Sequence, residues 1–180
     1  NYDRGEKYDP QGLGLELLKK DLDNDRYIEL WNIVFSQYNS MPGVARKDYK
    51  QLPQKNIDTG AGLERLACIM QETETNFERD LFYPYIEALM AKSKFPYEGK
   101  YKLAYRVIAD HIRSITFALA DGAVFSNDGR GYVLKRLLRR ASRYAQTLGL
   151  PAGTLASLVP LVTEHMSHFY PYLKDHQERT

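Results

Sequence analysis

The sequence predicts an α+β fold in which a strand-rich first part is followed by a helical remainder. A dense run of β-branched and aromatic residues at positions 27–38 is typical of a strand. Apolar residues then recur at helical spacing at positions 63–70, and again in two long stripes after residue 102. With 180 residues, 43% of them hydrophobic, the chain is long enough for one domain or two small ones.

The composition excludes several classes of protein. One cysteine cannot form an internal disulfide, and no stretch approaches the ~20 apolar residues that cross a bilayer. These features predict a chain in the reducing cytoplasm with no membrane partner. The sequence begins with Asn1 rather than methionine or a signal segment, which we interpret as an internal piece of a longer protein.

The first part of the chain predicts loops and strands. Its first forty residues are predicted to be rich in loops, with Gly5, Pro10, Gly12 and Gly14 before an acidic run at positions 21–25. The strand at 27–38 has apolar residues on consecutive positions, so we expect it to be buried on both faces. Where further strands would pair with it, an exposed apolar edge is expected instead. A polar loop then leads to a short extended run at 55–58.

The segment 58–65 contains a glycine turn between this extended run and a helix. Gly60 and Gly62 allow a phosphorylated ligand to approach the backbone, and the helix that follows offers free N–H groups. Arg65 in its first turn adds a charged fork for phosphate oxygens. A tight turn alone also predicts these glycines. A lone Asp58 is more often a helix cap than a ligand.

The remaining residues predict helices. One helix is expected at 81–91, followed by a linker at Phe95, Pro96 and Gly99. Two apolar stripes, at positions 103–119 and 134–148, predict two long helices. The second is expected to stop at Gly149 and Pro151. A last helix is predicted at 154–169.

The helix after residue 130 has a basic face. At about 100° per residue its cations cover an arc of roughly 140° opposite the apolar stripe; they are Lys135, Arg136, Arg139, Arg140 and Arg143. A solvated charged face is the ordinary interpretation. Because no carboxylate follows at i+4 to pair with any of them, the face also suggests a polyanionic partner, although the net charge of +2 alone does not.

Taken together, the motifs resemble the alanyl-tRNA synthetase family. The match covers most of the chain, in order and spacing, and its segments are 29–39, 52–53, 56–65, 76–78, 80–82, 107–113 and 129–134. Segment 58–65 resembles the family's version of class II motif 3. Arg79 departs from the small residue expected before Asp80, at a position we expect to be a linker.

The resemblance implies a fold and two domains. The fold is the C-terminal part of a class II antiparallel sheet with the motif 3 helix, followed by an all-helical tRNA-recognition segment. Residues 1–96 would belong to the aminoacylation domain and residues 97–180 to the domain that recognises the tRNA acceptor stem. The implied activity is formation of alanyl-adenylate and transfer of alanine to tRNA(Ala). The chain alone is expected to be inactive, since motif 2 is absent.

The resemblance also assigns residues to ligands. ATP binding falls to Leu30, Trp31, Asn32, Gly62 and Arg65, with Arg65 as the catalytic residue at the γ-phosphate. Alanine binding falls to Asn32 and Asp58, the latter for the ammonium, and Mg²⁺ to Glu29. Trp31 is equally typical of a core aromatic.

For tRNA, the resemblance aligns Asn127 with the asparagine that reads a G·U wobble pair in the acceptor stem. An amide offers both donor and acceptor in the RNA minor groove. A turn residue is the alternative interpretation. Arg130 and the cations of the basic face are likewise assigned to contacts with tRNA. No His/Cys set has zinc spacing, so we predict no zinc.

Two other classes of protein compete with this interpretation. A P-loop or dinucleotide enzyme is excluded, because no lysine follows the glycines and Arg65 replaces the third glycine of a dinucleotide fingerprint. A stand-alone helical RNA-binding module explains the basic face, but it leaves the strand at 27–38 and the Asp58 turn without a purpose.

Overall fold

The computed structural model describes residues 1–177. The chain divides into two compact units, Asn1–Glu72 and Thr73–Thr180. The last three residues of the second unit, and of the predicted domain 97–180, lie outside the described residues. The first unit ends at Glu72, before the predicted domain boundary at residue 96, because residues 73–96 pack with the helices that follow them. The functional boundary at 96 stays a prediction.

The first unit contains four short or medium strands and two helices. In chain order they are β1 (Tyr2–Asp3), α1 (Gly14–Lys19), β2 (Tyr27–Ile28), β3 (Trp31–Asn39), β4 (Lys50–Ala61) and α2 (Leu63–Met70). β1 pairs with β2, and β3 pairs with β4, both antiparallel. The predicted strand at 27–38 is thus divided between β2 and β3, and the extended run at 55–58 is part of the longer β4.

The expectation that this strand is buried on both faces is wrong. Every residue of β3 is exposed, and the exposed fraction is 65% for Phe35 and 69% for Ile57. A two-stranded ribbon has no second layer against which to bury its side chains. The exposed apolar side chains of β3 agree instead with the expectation of an exposed apolar edge.

Arg26 ties the start of the chain to β2. Its Nε lies 2.9 Å from Asp3 Oδ1 and its Nη1 lies 3.4 Å from Asp9 Oδ2. The hydrogen bonds from Arg26 and from the Gly5 backbone lower the pKa of Asp3. Asp9 also accepts hydrogen bonds from the Gly14 N–H at the start of α1 (3.1 Å). These contacts hold β2 beside the residues that form the candidate site.

Within its described residues, 73–177, the second unit contains helices joined by turns and loops, and no strand. Its helices are α3 (Tyr83–Met90), α4 (Lys102–Ala120), α5 (Gly129–Thr147), α6 (Thr154–Met166) and α7 (Tyr172–Asp175). The core is centred on α4, and its most buried members include Tyr85, Ile86, Leu89, Tyr105, Ile108, Leu148, Leu158, Val162 and Leu173. The predicted long helices and the helix end at Gly149, whose φ is +64°, are confirmed.

Arg79 lies in the segment that leads to α3, as expected of a linker, but it is buried. Only 1% of its surface is exposed. Within residues 1–177 its guanidinium has no hydrogen-bond partner, and its Nη2 lies 3.8 Å from Asp80 Oδ1. No sequence pattern predicted this burial, since arginine rarely enters a core without close pairing.

Glu78 is the centre of a polar cluster in the second unit. Its carboxylate accepts hydrogen bonds from Tyr97 Oη (2.6 Å), Arg106 Nη2 (2.8 Å) and Thr75 Oγ1. Burial raises the pKa of Glu78, but the hydrogen bonds from Thr75, Tyr97 and Arg106 outweigh it and lower the pKa to about 2. The cluster joins the segment before α3 to the linker before α4 and to α4 itself.

This cluster predicts an acid-dependent loss of stability. The folded pKa of Glu78 is about 2 and lies below the unfolded value of roughly 4.3. The stabilisation is therefore complete above the unfolded pKa and is lost as the pH falls through the folded pKa. Glu78→Gln should lower the thermal midpoint at pH 6 and flatten its dependence between pH 5 and pH 2, as measured by circular dichroism.

The matched control for this prediction is Glu87→Gln, because Glu87 lies exposed on α3. It should leave both the midpoint and its pH dependence unchanged. A Glu78→Gln variant with the wild-type pH dependence would show that the cluster does not stabilise the second unit.

Candidate functional site

The turn from β4 into α2 is tied to the segment before β3. The Gly62 N–H donates to the Leu30 carbonyl at 3.0 Å. From the first turn of α2, Arg65 Nη1 donates to the Glu29 carbonyl at 2.6 Å. Asn32 Nδ2 donates to Glu29 Oε1 at 3.3 Å. The residues predicted for ATP and Mg²⁺ are therefore neighbours in the structure.

A cavity of about 470 Å³ opens beside this turn. Glu29 and Arg65 line it, together with Asp21, Asp23 and Asn24 from the acidic run. It therefore presents both signs of charge. Within residues 1–177 no group of three or more His, Cys, Asp or Glu side chains is arranged to hold a metal ion.

The register of β3 and β4 places Asn32 and Asp58 on the same face of the ribbon. Asn32 is opposite Gly60, and Val34 is opposite Asp58. Because side chains alternate along a strand, positions 32, 34, 58 and 60 share one face. A Cβ added to Gly60 would lie 3.5 Å from Asn32 Oδ1. Gly60 has no side chain to cover this face, and the face presents the Asn32 amide and the Asp58 carboxylate beside it.

Trp31 lies on the opposite face from Asn32. Its Nε1 donates a hydrogen bond to Thr59 Oγ1, and both residues alternate away from Asn32 and Asp58. The Trp31 ring is 61% exposed, so the alternative of a core aromatic is wrong within this structure. The ATP-binding assignment of Trp31 stays a prediction, although its face is not the one that presents Asn32.

The basic face of α5 is exposed to solvent. Its arginines are all exposed, and they are Arg130, Arg136, Arg139, Arg140 and Arg143. Arg136 lies over the Tyr132 ring, with 6.0 Å between its guanidinium carbon and the ring centroid. Lys135 is only half-exposed, which sets it apart from the arginines.

The exposed loop before α5 brings Asn127 to this basic face. Lys135 Nζ donates a hydrogen bond to Asn127 Oδ1 at 2.7 Å. Ser126 Oγ donates to the Asp128 carbonyl at 2.6 Å. Phe125 and Tyr132 are also exposed beside the loop. Asn127 and Lys135 therefore contact each other in the structure, whereas the sequence analysis predicted a separate tRNA contact for each of them.

Sequence reasoning missed the importance of Gly131. A Cβ at this position would lie 2.2 Å from the Val124 carbonyl oxygen and 2.6 Å from Ser126 Oγ. The loop therefore crosses the first turn of α5 at a distance that only glycine permits. A glycine inside a predicted helix is the signal that could have indicated this close approach.

The comparison of the chain with known protein families agrees with these features, which are an antiparallel ribbon, a glycine turn and an arginine-bearing helix. The family model described as "tRNA synthetases class II (A)" matches residues 1–180, and the chain belongs to this family.

Among curated relatives, the chain resembles alanine–tRNA ligases. It is 53% identical to that of Streptococcus sanguinis over 179 residues, and 52% identical to that of Lactococcus lactis subsp. cremoris strain SK11 over 178 residues. Both alignments cover 98% of this chain and 20% of the relative. The chain thus spans about a fifth of the length of the curated relatives it matches.

No helix within residues 1–177 is long and apolar enough to cross a membrane.

Proposed function

We propose that this chain contributes to a cytoplasmic alanine–tRNA ligase, with residues 1–96 in the alanine-activating domain and residues 97–180 at the tRNA acceptor stem. The observation that carries the proposal is the shared ribbon face of Asn32 and Asp58, with Gly60 between them. A small amino acid fits a space bounded by one carboxylate, one amide and a glycine. The resemblance to alanine–tRNA ligases supports alanine as that amino acid.

Asp58 is proposed to bind the ammonium group of alanine. Its side chain is exposed on the ribbon, and its Oδ1 accepts a hydrogen bond from the Thr59 N–H at 2.8 Å. This bond fixes the carboxylate and leaves Oδ2 available for a charge-assisted hydrogen bond. Asn32, on the same face, offers its amide to the amino acid and to the nucleotide.

ATP is proposed to lie against the turn that contains Gly62 and Arg65. Arg65 supplies a fixed charge for the γ-phosphate, and Gly62 lets the nucleotide approach the backbone. Leu30 and Trp31 complete the predicted ATP contacts. In the reaction, an oxygen of the alanine carboxylate forms a bond to the α-phosphorus while the bond to pyrophosphate breaks. The terminal ribose hydroxyl of the tRNA then displaces AMP from the alanyl-adenylate.

Glu29 is compatible with a Mg²⁺ ion shared with the ATP phosphates. It is an exposed carboxylate at the edge of the cavity, and Mg²⁺ commonly uses one or two carboxylates plus substrate phosphates. When bound, Mg²⁺ would help to neutralise the charge that develops on the phosphates.

Residues 97–180 are proposed to bind the acceptor stem of tRNA(Ala). The exposed arginines of α5 suit phosphate contacts, which position the RNA without reading sequence. Asn127, at the N-terminal end of this helix, is proposed to contact the base edges of the wobble pair. A stand-alone RNA-binding module would also use the basic face. It would have no use for the Asn32 and Asp58 face.

The exposed apolar side chains of β3 and β4 indicate that the first unit needs further strands to work. A ribbon with Phe35 and Ile57 in solvent is marginally stable alone. We therefore expect activity only from the full-length protein that contains this chain. The 180-residue chain is proposed to be inactive by itself, since losing one donor to the reacting phosphate typically costs roughly 100- to 1000-fold in rate.

The test is ATP–pyrophosphate exchange with a panel of amino acids. The full-length protein should exchange pyrophosphate in the presence of alanine, and far more slowly with glycine or serine. The 180-residue chain should show no exchange above background. Exchange that depends on another amino acid, or no exchange by the full-length protein, would contradict the proposed function.

A further inference from the structure

One cation of the basic face, Lys135, donates a hydrogen bond to a side chain of the loop before α5. Lys135 is half-buried and its ammonium lies 2.7 Å from Asn127 Oδ1. The exposed arginines of α5 have no such contact to Asn127 among the described hydrogen bonds of residues 1–177. Lys135 therefore differs from them both in exposure and in what it contacts.

The chemistry of this contact fixes the orientation of the Asn127 amide. An ammonium group has three donors and no acceptor, so the amide atom that faces it must be the oxygen. The Asn127 NH₂ group is then on the other side of the amide carbon and keeps both of its donors. The oxygen keeps a second lone pair. A neutral residue at position 135 would allow the amide to rotate by 180°, which exchanges donor and acceptor.

The loop backbone around Asn127 is held as well. Its approach to α5 is set by Gly131, above which the Val124 carbonyl lies too close for any Cβ. The hydrogen bond from Ser126 Oγ to the Asp128 carbonyl, at 2.6 Å, spans Asn127 in the sequence. With the backbone fixed on both sides, the remaining freedom of Asn127 is the rotation of its side chain.

We propose that Lys135 is a positioning residue that orients the Asn127 amide for reading the acceptor stem, rather than a phosphate contact. This inference rests on the proposed base-reading role of Asn127. A minor groove presents base edges whose donors and acceptors are fixed, so an amide reads them only when its own donor and acceptor are fixed too. The hydrogen bond from Lys135 fixes which side of the Asn127 amide is the donor and which side is the acceptor.

The experiment measures kcat/KM for charging of two tRNAs that differ only in a G·U or a G·C pair in the acceptor stem, using the full-length protein. Lys135→Met should lower the G·U to G·C ratio by roughly tenfold, the scale of one hydrogen bond to a charged group. Lys135→Arg, which keeps charged donors, should restore part of the ratio. Arg139→Met, on the same helix, should lower both rates alike and leave the ratio unchanged.

A double variant separates positioning from a direct RNA contact. If Lys135 acts through Asn127, then Lys135→Met should have no further effect on the ratio in an Asn127→Ala background. Thermal melts of each variant confirm that it folds. A Lys135→Met variant that lowers both rates alike, while Asn127→Ala lowers the ratio, would overturn the positioning role alone. If Asn127→Ala leaves the ratio unchanged, the proposed role of Asn127 fails, and the role of Lys135 fails with it.

Discussion

Asp58→Asn is expected to raise the KM for alanine by roughly 10- to 100-fold in the full-length protein, because it removes a charged partner of the substrate ammonium. Adenylate formation should slow as well. The KM for ATP should change little, since no ATP contact is proposed for Asp58. Asparagine has nearly the same shape as aspartate, so the ribbon and the hydrogen bond to the Thr59 N–H can remain.

The measurement is steady-state pyrophosphate exchange with alanine and ATP varied separately. Asp48→Asn is the matched control, because Asp48 is an exposed carboxylate between β3 and β4 with no proposed role. It should leave both KM values unchanged. If Asp58→Asn weakens ATP and alanine to the same extent, the carboxylate does not act on the ammonium.

Asn127→Ala is expected to lower the G·U to G·C charging ratio by roughly 10- to 100-fold, the equivalent of about 1–3 kcal/mol for a good pair of base contacts. Binding of tRNA without the wobble pair should barely change. The double variant Arg139→Ala with Arg140→Ala should instead weaken tRNA binding and leave the G·U to G·C charging ratio unchanged. It removes phosphate contacts, so affinity should fall for every tRNA alike and the salt dependence of binding should become shallower.

The two variants are compared at fixed salt and at matched loss of affinity. A ratio unchanged by Asn127→Ala would leave that residue as a turn former. A ratio changed by the arginine pair would mean that the basic face reads the acceptor stem in addition to positioning it.

The sequence predicted the local elements of this fold well, because their signals are local. The helical spacing at 63–70 and the stop at Gly149 depend on near neighbours, and both are confirmed. The long helices α4 and α5 followed from their apolar stripes. The ends of elements were less accurate: the predicted helix at 81–91 spans Tyr83–Met90.

Burial could not be predicted from the sequence, because it depends on which layers are present. The strand at 27–38 has the apolar content of a buried strand, yet β3 is exposed on a two-stranded ribbon. Arg79 shows the reverse: a charged residue in an expected linker is buried. Neither residue pattern contains information about what packs above it.

The candidate sites depend on contacts between positions that are not neighbours in the chain. Asn32 and Asp58 share a face only because the register pairs Asn32 with Gly60 and Val34 with Asp58. The contact of Lys135 with Asn127 needs both the loop path over Gly131 and the start of α5. The resemblance named Asn32, Asp58 and Asn127 individually, but it predicted neither these contacts nor their geometry.

Alanine activation and acceptor-stem reading are proposed to belong to separate parts of the chain. Alanine-dependent pyrophosphate exchange, which needs no tRNA, tests it most directly when wild type, Asp58→Asn and Asn127→Ala are measured side by side in the full-length protein. Asp58→Asn should lose exchange at low alanine by roughly 10- to 100-fold, while Asn127→Ala should match wild type. Equal loss of exchange in both variants, or wild-type exchange in Asp58→Asn, would contradict this separation of the two roles.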